Sequence, residues 1–441
     1  MRPQKKDNDW WLGVQSEEAE PENMEFTPEI VENCRRKFPA LSRKINGKPV
    51  IYFDGPGGTQ VPQAVIDAVS HYLAHTNANH EGLFATSQES DQVLTEAHRG
   101  LADFLGANDP KSVVFGANMT SLTFALSRAL AKTWKADDEI IVTRLDHDAN
   151  VTPWVMAAQD AGATVHFVQI IHEDCTLDLG DLRSKLSKKT KLVAVGCASN
   201  SVGTINPVTD ICTWAHEVGA LLFLDAVHYA PHSLIDVEQF GCDFLACSVY
   251  KFFGPHVGVL WGKRELLEEL PAYKVRPASD NLPGKWMIGT QNHEGIAGSL
   301  AAVEYLADLG RAVSSNDSLT RREALRTAFT AISQYEKDLV AHLLNGLKRL
   351  SDVRVWGITD KERFNERLPT VSITHKKRSP SELAKQLGDD GVFVWHGNYY
   401  ALQLSEALDM EPDGMVRIGL AHYNTKREVD RLLNILQHLD S

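Results

Sequence analysis

Several polar residues stand directly after short apolar runs, and their types suit acid–base and carbonyl chemistry. Lys251 ends Cys247-Ser248-Val249-Tyr250-Lys251 and precedes Phe252-Phe253. A desolvated lysine has a lowered pKa, and its neutral amine is the nucleophile that Schiff-base formation needs. The competing reading is a lysine that lays its stem on apolar surface and keeps its head in water. Asp225 follows Leu221-Leu222-Phe223-Leu224. A carboxylate so placed is costly to bury without a cationic partner, unless it caps a helix. His147 and His228 each offer a flat imidazole, or are ordinary hydrogen-bonded histidines. Asn200 lies in Ala198-Ser199-Asn200-Ser201-Val202-Gly203-Thr204. The loop Gly116-Ala117-Asn118-Met119-Thr120-Ser121 precedes an amphipathic stretch. A glycine-started loop at a helix N-terminus exposes free N–H groups that can hold a phosphate, although Asn118, Thr120 and Ser121 also cap helices well.

The elements that must position these residues alternate. The pattern predicts strands at 113–115, 139–143, 164–168, 192–197 and 221–225, with helices at 121–134, 153–161, 178–186 and 210–218 between them. Such alternation predicts a parallel sheet covered by helices on both faces. In that architecture ligands bind beyond the carboxyl ends of the strands, which is where the polar residues above fall. After about Gly254 the pattern changes to long helices (295–309 and 319–350), followed by a strand–helix mixture over 353–441.

The composition is that of an ordinary globular chain, 43% hydrophobic and 23% charged over 441 residues, long enough for more than one domain. A net charge of −13 argues against nucleic acid or an anionic membrane as partner. The six cysteines form no CxxC pair and no metal-ligand spacing, and are expected to be buried thiols of a cytoplasmic protein. Residues 1–24 lack an apolar core of a secretory signal and are expected to form a flexible arm. There is no G-x-G-x-x-G between a strand and a helix, which removes the main support for a nicotinamide enzyme.

Together the strand ends supply a phosphate cradle, a flat ring, an amide, a carboxylate and a desolvated lysine. Pyridoxal 5′-phosphate asks for each of these: donors for its phosphate, a stacking face, a partner for O3′, a carboxylate for its pyridinium nitrogen, and a lysine for its aldehyde. The order and local spelling of the segments resemble the class V aminotransferase family of fold-type I pyridoxal-phosphate enzymes. The resemblance is to its cysteine desulfurase and selenocysteine lyase branch, and it runs from about Ile51 to the C-terminus. It implies an α/β fold: a large domain with a mainly parallel seven-stranded sheet between helices, plus a smaller α+β domain. We divide the chain into the arm at 1–24, an N-terminal part of the small domain at 25–50, the large cofactor domain at 51–300, and the C-terminal small domain at 301–441.

The resemblance also implies roles. Lys251 is the Schiff-base lysine. His147, in Asp146-His147-Asp148-Ala149-Asn150-Val151-Thr152-Pro153-Trp154, stacks on the cofactor ring, and Asn200 meets O3′. Asp225 partners the pyridinium nitrogen, and His228 stands where a Gln is usual. Asn118, Met119, Thr120 and Ser248 face the phosphate, and Tyr250 stands where a phosphate-binding His is usual. Thr290, in Gly289-Thr290-Gln291-Asn292, matches a threonine that reaches the neighbouring subunit's phosphate, which implies a homodimer with sites at the interface. Arg417 matches the arginine that grips the substrate α-carboxylate. Tyr400 and His80 are further candidates for the substrate pocket.

Two segments depart from the family pattern. Desulfurases carry a nucleophilic Cys on a small-domain loop, but here the stretch is Trp395-His396-Gly397-Asn398-Tyr399-Tyr400-Ala401, and no cysteine follows Cys247. A phenol cannot accept sulfur as a persulfide. The other segment, Asp54-Gly55-Pro56-Gly57-Gly58-Thr59-Gln60, replaces an Asn-Ala-Ala-Thr-Thr-like run. The expectation is a pyridoxal-phosphate enzyme acting on a small amino acid by C–S lyase or transamination chemistry, without a persulfide-forming cysteine. The alternative is a catalytically inactive, cofactor-binding regulatory paralogue.

Overall fold

The computed structural model describes residues 26–440; the expected arm at 1–24 lies outside them. Its main sheet has seven strands: β1 (Val113–Gly116), β2 (Glu139–Thr143), β3 (Thr164–Val168), β4 (Thr190–Gly196), β5 (Leu221–Asp225), β6 (Phe244–Ser248) and β7 (Gly258–Gly262). Their spatial order is β1-β7-β6-β5-β4-β2-β3. Strand β7 runs antiparallel to both neighbours and the remaining pairings are parallel, so the expected mainly parallel seven-stranded sheet is present.

Both faces of this sheet are covered, which is why the strands are apolar without alternation. In β4, Val193 and Val195 enter one core while Leu192 and Ala194 enter the other. Helix α1 (Ala85–Leu105) and helix α5 (His293–Ser314) pack together on one side. Helices α2 (Met119–Ala131) and α3 (Thr152–Ala161) pack together and belong to the core of the other face. Later in the chain, α4 (Val208–Glu217) joins β4 to β5.

Two features escaped the sequence pattern. Helix α1 buries a stripe of small and polar residues, Ser87, Ser90, Ala97 and Gly100, before it reaches Leu101, so most of its inner face carries no apolar period. Strands β6 and β7 were not foreseen as a pair. Gly258, which opens β7, lies where a Cβ would come 2.3 Å from the Asn118 carbonyl carbon, so only glycine lets the start of α2 settle there.

A second, antiparallel sheet contains β8 (Val353–Trp356), β9 (Thr370–His375), β10 (Trp395–Gly397) and β11 (Met415–Gly419) in the order β8-β9-β11-β10. Its core is shared with α6 (Arg321–Leu347) and the C-terminal helix, and Ile51 and Phe53 pack into it. Ile51–Tyr52 pairs in parallel with Val392–Phe393, and Gly419 N–H donates to Phe53 O at 2.8 Å. The turn that begins at Asp54 is therefore delivered from the second sheet toward the strand ends of the first. No helix among the described residues is long and apolar enough to cross a membrane.

Candidate active site

The carboxyl ends of β2, β4, β5 and β6 and the N-terminus of α2 surround one cavity. Its lining includes Met119, Thr120, Asp146, His147, Asn200, Asp225, His228, Ser248, Tyr250 and Lys251. Asn118 caps α2: its side chain accepts from Ser121 N–H at 2.8 Å and Ser121 Oγ at 3.0 Å. Capping and ligand binding are compatible here. Met119 N–H donates to Ser248 Oγ at 3.1 Å, and the Thr120 N–H at the second helical position has no intrahelical acceptor. The Ser248 hydroxyl hydrogen remains available as a donor. This end of α2 therefore offers N–H groups, a hydroxyl and the positive end of a dipole.

Asp225 is buried at the end of β5, and its Oδ1 accepts from Val227 N–H at 2.8 Å. Burial pushes its carboxyl up to about 6, while that bond and the nearby Lys251 pull it back. His147 Nδ1 accepts from Ala149 N–H at 3.0 Å, which leaves Nε2 to carry the proton of the neutral ring. Burial, helped by the charges of Lys251 and Arg417, brings its pKa down to about 4. His228 is buried, with Nε2 3.1 Å from Thr370 Oγ1, and burial drives its pKa well down. Lys251 is brought to about 7 by burial and by Arg417, against the opposing pull of Asp225 and Asp54. Its Nζ lies 4.8 Å from the centre of the Tyr250 ring, which stacks in turn on His256.

Arg417, on β11, enters from the second sheet. It is buried, donates from Nη1 to Asn200 O at 2.9 Å, and lies 4.3 Å above the Tyr399 ring. It makes no ion pair with a carboxylate among the described residues. Tyr399 O accepts from Asn200 Nδ2 at 2.9 Å. Tyr400 is 72% exposed and stacks on His147, with ring centroids 5.4 Å apart. Both tyrosines have positive φ, 56° and 59°, a costly conformation for bulky residues. The loop is held by Asp148 N–H donating to Tyr400 O at 2.7 Å.

Asn118, Arg417 and Tyr400 border this cavity through Met119, Asn200 and His147 without lining it, and two further candidates stand apart from it within one chain. His80 is exposed and lies edge-on to His293, with centroids 5.9 Å apart. Thr290 is exposed in a groove with Gly116, Ala117 and Ser121, beside the same α2 terminus. One titratable lining residue was not singled out from sequence. Asp146 is buried and accepts from Gly196 N–H at 2.8 Å and Asn150 Nδ2 at 3.1 Å. Its signal was the one used for Asp225, a carboxylate just beyond an apolar strand.

The cavity can be tested for fit to pyridoxal 5′-phosphate by its unmatched atoms. Asn200 Oδ1 and Arg417 Nε are buried without a hydrogen-bond partner among the described residues. Such atoms cost about 1–3 kcal/mol each unless a ligand supplies the mate. With the α2 terminus for a phosphate, Asp225 for a pyridinium and Lys251 for an aldehyde, the donor and acceptor set matches that cofactor.

Comparison with known proteins agrees. The family model "Aminotransferase class-V" matches residues 51–432. A protein of Synechocystis described as a probable cysteine desulfurase is 32% identical over 93% of this chain and 96% of its own length. A cysteine desulfurase of Yersinia pestis is 29% identical over 93% of this chain and 98% of its own. The apo structure of a cysteine desulfurase from Thermococcus onnurineus superposes with a TM-score of 0.82 at 26% identity, covering 92% of this chain and 97% of that one. The chain belongs to the class-V aminotransferase family and is a pyridoxal-phosphate-dependent enzyme.

Proposed function

We propose that this class-V aminotransferase family member binds its cofactor through Lys251 and acts on a small α-amino acid, by C–S lyase or transamination chemistry, without forming a persulfide on its own chain. The carrying observation is Arg417: a buried guanidinium with no carboxylate partner among the described residues, set beside the cavity that holds Lys251. A planar fork in that state suits the α-carboxylate of an amino acid. When bound, pyridoxal phosphate supplies an aldehyde and an electron-withdrawing ring. Asp225 holds the proton on the ring nitrogen, and His147 and Asn200 orient the ring. Arg417 fixes the substrate carboxylate. The Lys251 amine, brought near neutrality by burial, takes the proton from the substrate α-carbon and returns it.

The absence of a protein persulfide rests on the cysteines. All six are buried, and burial raises the Cys34 thiol to about 11 and leaves the others unsuited to attack. The loop expected to carry a nucleophile presents Tyr400 instead. Sulfur cleaved from a cysteine substrate would then leave with its electron pair as sulfide, and water would hydrolyse the remaining three-carbon unit to pyruvate and ammonia, without any reductant. Thr290, exposed beside the α2 terminus, supports a homodimer in which each chain completes the other's phosphate site.

An amino-acid panel tests this, read by cofactor absorbance with sulfide, alanine, pyruvate and ammonia quantified. Sulfide in step with pyruvate supports the lyase, and keto acid exchange supports transamination. A spectrum unmoved by every amino acid rejects both in favour of a binding protein. Lys251→Ala should lose the yellow, borohydride-reducible chromophore; if it keeps it, the lysine assignment is wrong.

A further inference from the structure

The turn Asp54-Gly55-Pro56-Gly57 holds three oxygens that the roles above leave unused. Lys251 Nζ donates to Pro56 O at 2.5 Å and to Gly57 O at 3.1 Å. Asp54 Oδ1 is buried with no hydrogen-bond partner among the described residues, and burial raises the pKa of its carboxyl against the opposing pull of Arg417 and Lys251. Carbonyl and carboxylate oxygens accept hydrogen bonds and offer nothing to an anion, so this turn is a site for an N–H-bearing cation. It also adjoins the proposed carboxylate site. A Cβ built on Gly57 would lie 3.7 Å from Arg417 Nη2, so the carbonyl that Lys251 uses belongs to the residue packed against the guanidinium. An anion site and an ammonium site thus stand side by side, as the carboxylate and amino groups of one α-amino acid do.

We propose that the turn is an amine-docking site: the Pro56 and Gly57 carbonyls and the Asp54 carboxylate hold whichever protonated amine is not joined to the cofactor, either that of Lys251 or the α-ammonium of an incoming amino acid whose carboxylate rests on Arg417. No covalent bond is made or broken in the docking. The inference rests on the assignments of Lys251 and Arg417 above. It also bears on Gly57, where a side chain would crowd the Asp54 carbonyl at 3.1 Å and the Arg417 guanidinium at 3.7 Å.

The test uses holoenzyme reduced with borohydride, which locks Lys251 to the cofactor and leaves the turn free. L-Alanine and propionate differ by the amino group alone, and their binding is measured by calorimetry. Wild type should hold L-alanine at least about tenfold more tightly than propionate, the size of one charge-assisted contact. Asp54→Asn should lose most of that ratio and leave propionate binding within about twofold. Propionate bound as tightly as L-alanine by wild type overturns the docking site alone, and that comparison needs no variant. A ratio that survives Asp54→Asn removes Asp54 from the site. A chromophore that borohydride does not reduce, or a protein that binds neither probe, overturns the assignments beneath the inference and the inference with them.

Discussion

Two buried carboxylates share this cavity, and their surroundings divide their work. Asp225 stands near Lys251 and is raised only to about 6, so it is ionised at neutral pH and able to face a pyridinium. Asp146 is raised to about 8 by burial first, with the charge of Asp225 adding to it and the Gly196 N–H bond opposing it. Asp146 therefore carries a proton at neutral pH, which spares Asp225 a second negative neighbour. A stability test follows with a defined sign. A carboxyl whose folded pKa lies above its unfolded value binds more protons when folded, across the window between the two. For Asp146 that window runs from 3.8 to about 8, and the folded state loses stability as pH rises through it. Asp146→Asn removes that dependence. Any fixed packing penalty shifts its melting curve without tilting it, so the variant should gain on wild type by a few degrees, on the order of 5 °C, between pH 5 and 9. Parallel plots of melting temperature against pH would show that Asp146 is ionised after all.

At the scale of elements, what was legible followed from strand ends. Strands β2, β3 and β5 fall where their apolar runs predicted, and His147, Asn200, Asp225 and Lys251 meet because each follows a strand of one sheet. Long-range register is what the pattern could not show. Arg417 reaches the cavity through a second sheet, and the left-handed pair Tyr399–Tyr400 has no local signal, because tyrosine does not favour that conformation. The resemblance, not the periodicity, pointed to both. The start of α2 is a similar case, since its position depends on Gly258 of a strand that went unread. Gly258→Ala would drive a methyl group into the Asn118 backbone, 2.3 Å from its carbonyl carbon. The α2 terminus and β7 must then separate, at the end of α2 proposed above to hold the phosphate. Overpacking of this kind costs about 1–3 kcal/mol. The variant should fold with a lowered melting temperature and bind pyridoxal phosphate at least about tenfold more weakly. Unchanged cofactor titration would mean that this terminus does not hold the phosphate.

For the whole molecule, the question is whether one chain makes a complete site. Thr290 lies close to the α2 terminus of its own chain but in a groove separate from the Lys251 cavity, and it is exposed with no hydrogen bond among the described residues. If it serves a partner's phosphate, its effect must cross between subunits. Thr290→Ala should weaken cofactor binding by about tenfold, the scale of one hydrogen bond to a charged group. That result alone does not say whose site was damaged, but mixed dimers do. Pair a Lys251→Ala chain with a Thr290→Ala chain. If Thr290 acts across the interface, the site built on the second chain has its own Lys251 and the first chain's Thr290, and is intact. The hybrid should then recover near-wild-type cofactor affinity in one of its two sites, although neither parent has such a site. If Thr290 acts within its own chain, both sites of the hybrid stay defective and mixing restores nothing. Recovery would also show that the chains associate, because chains that never exchange cannot complement.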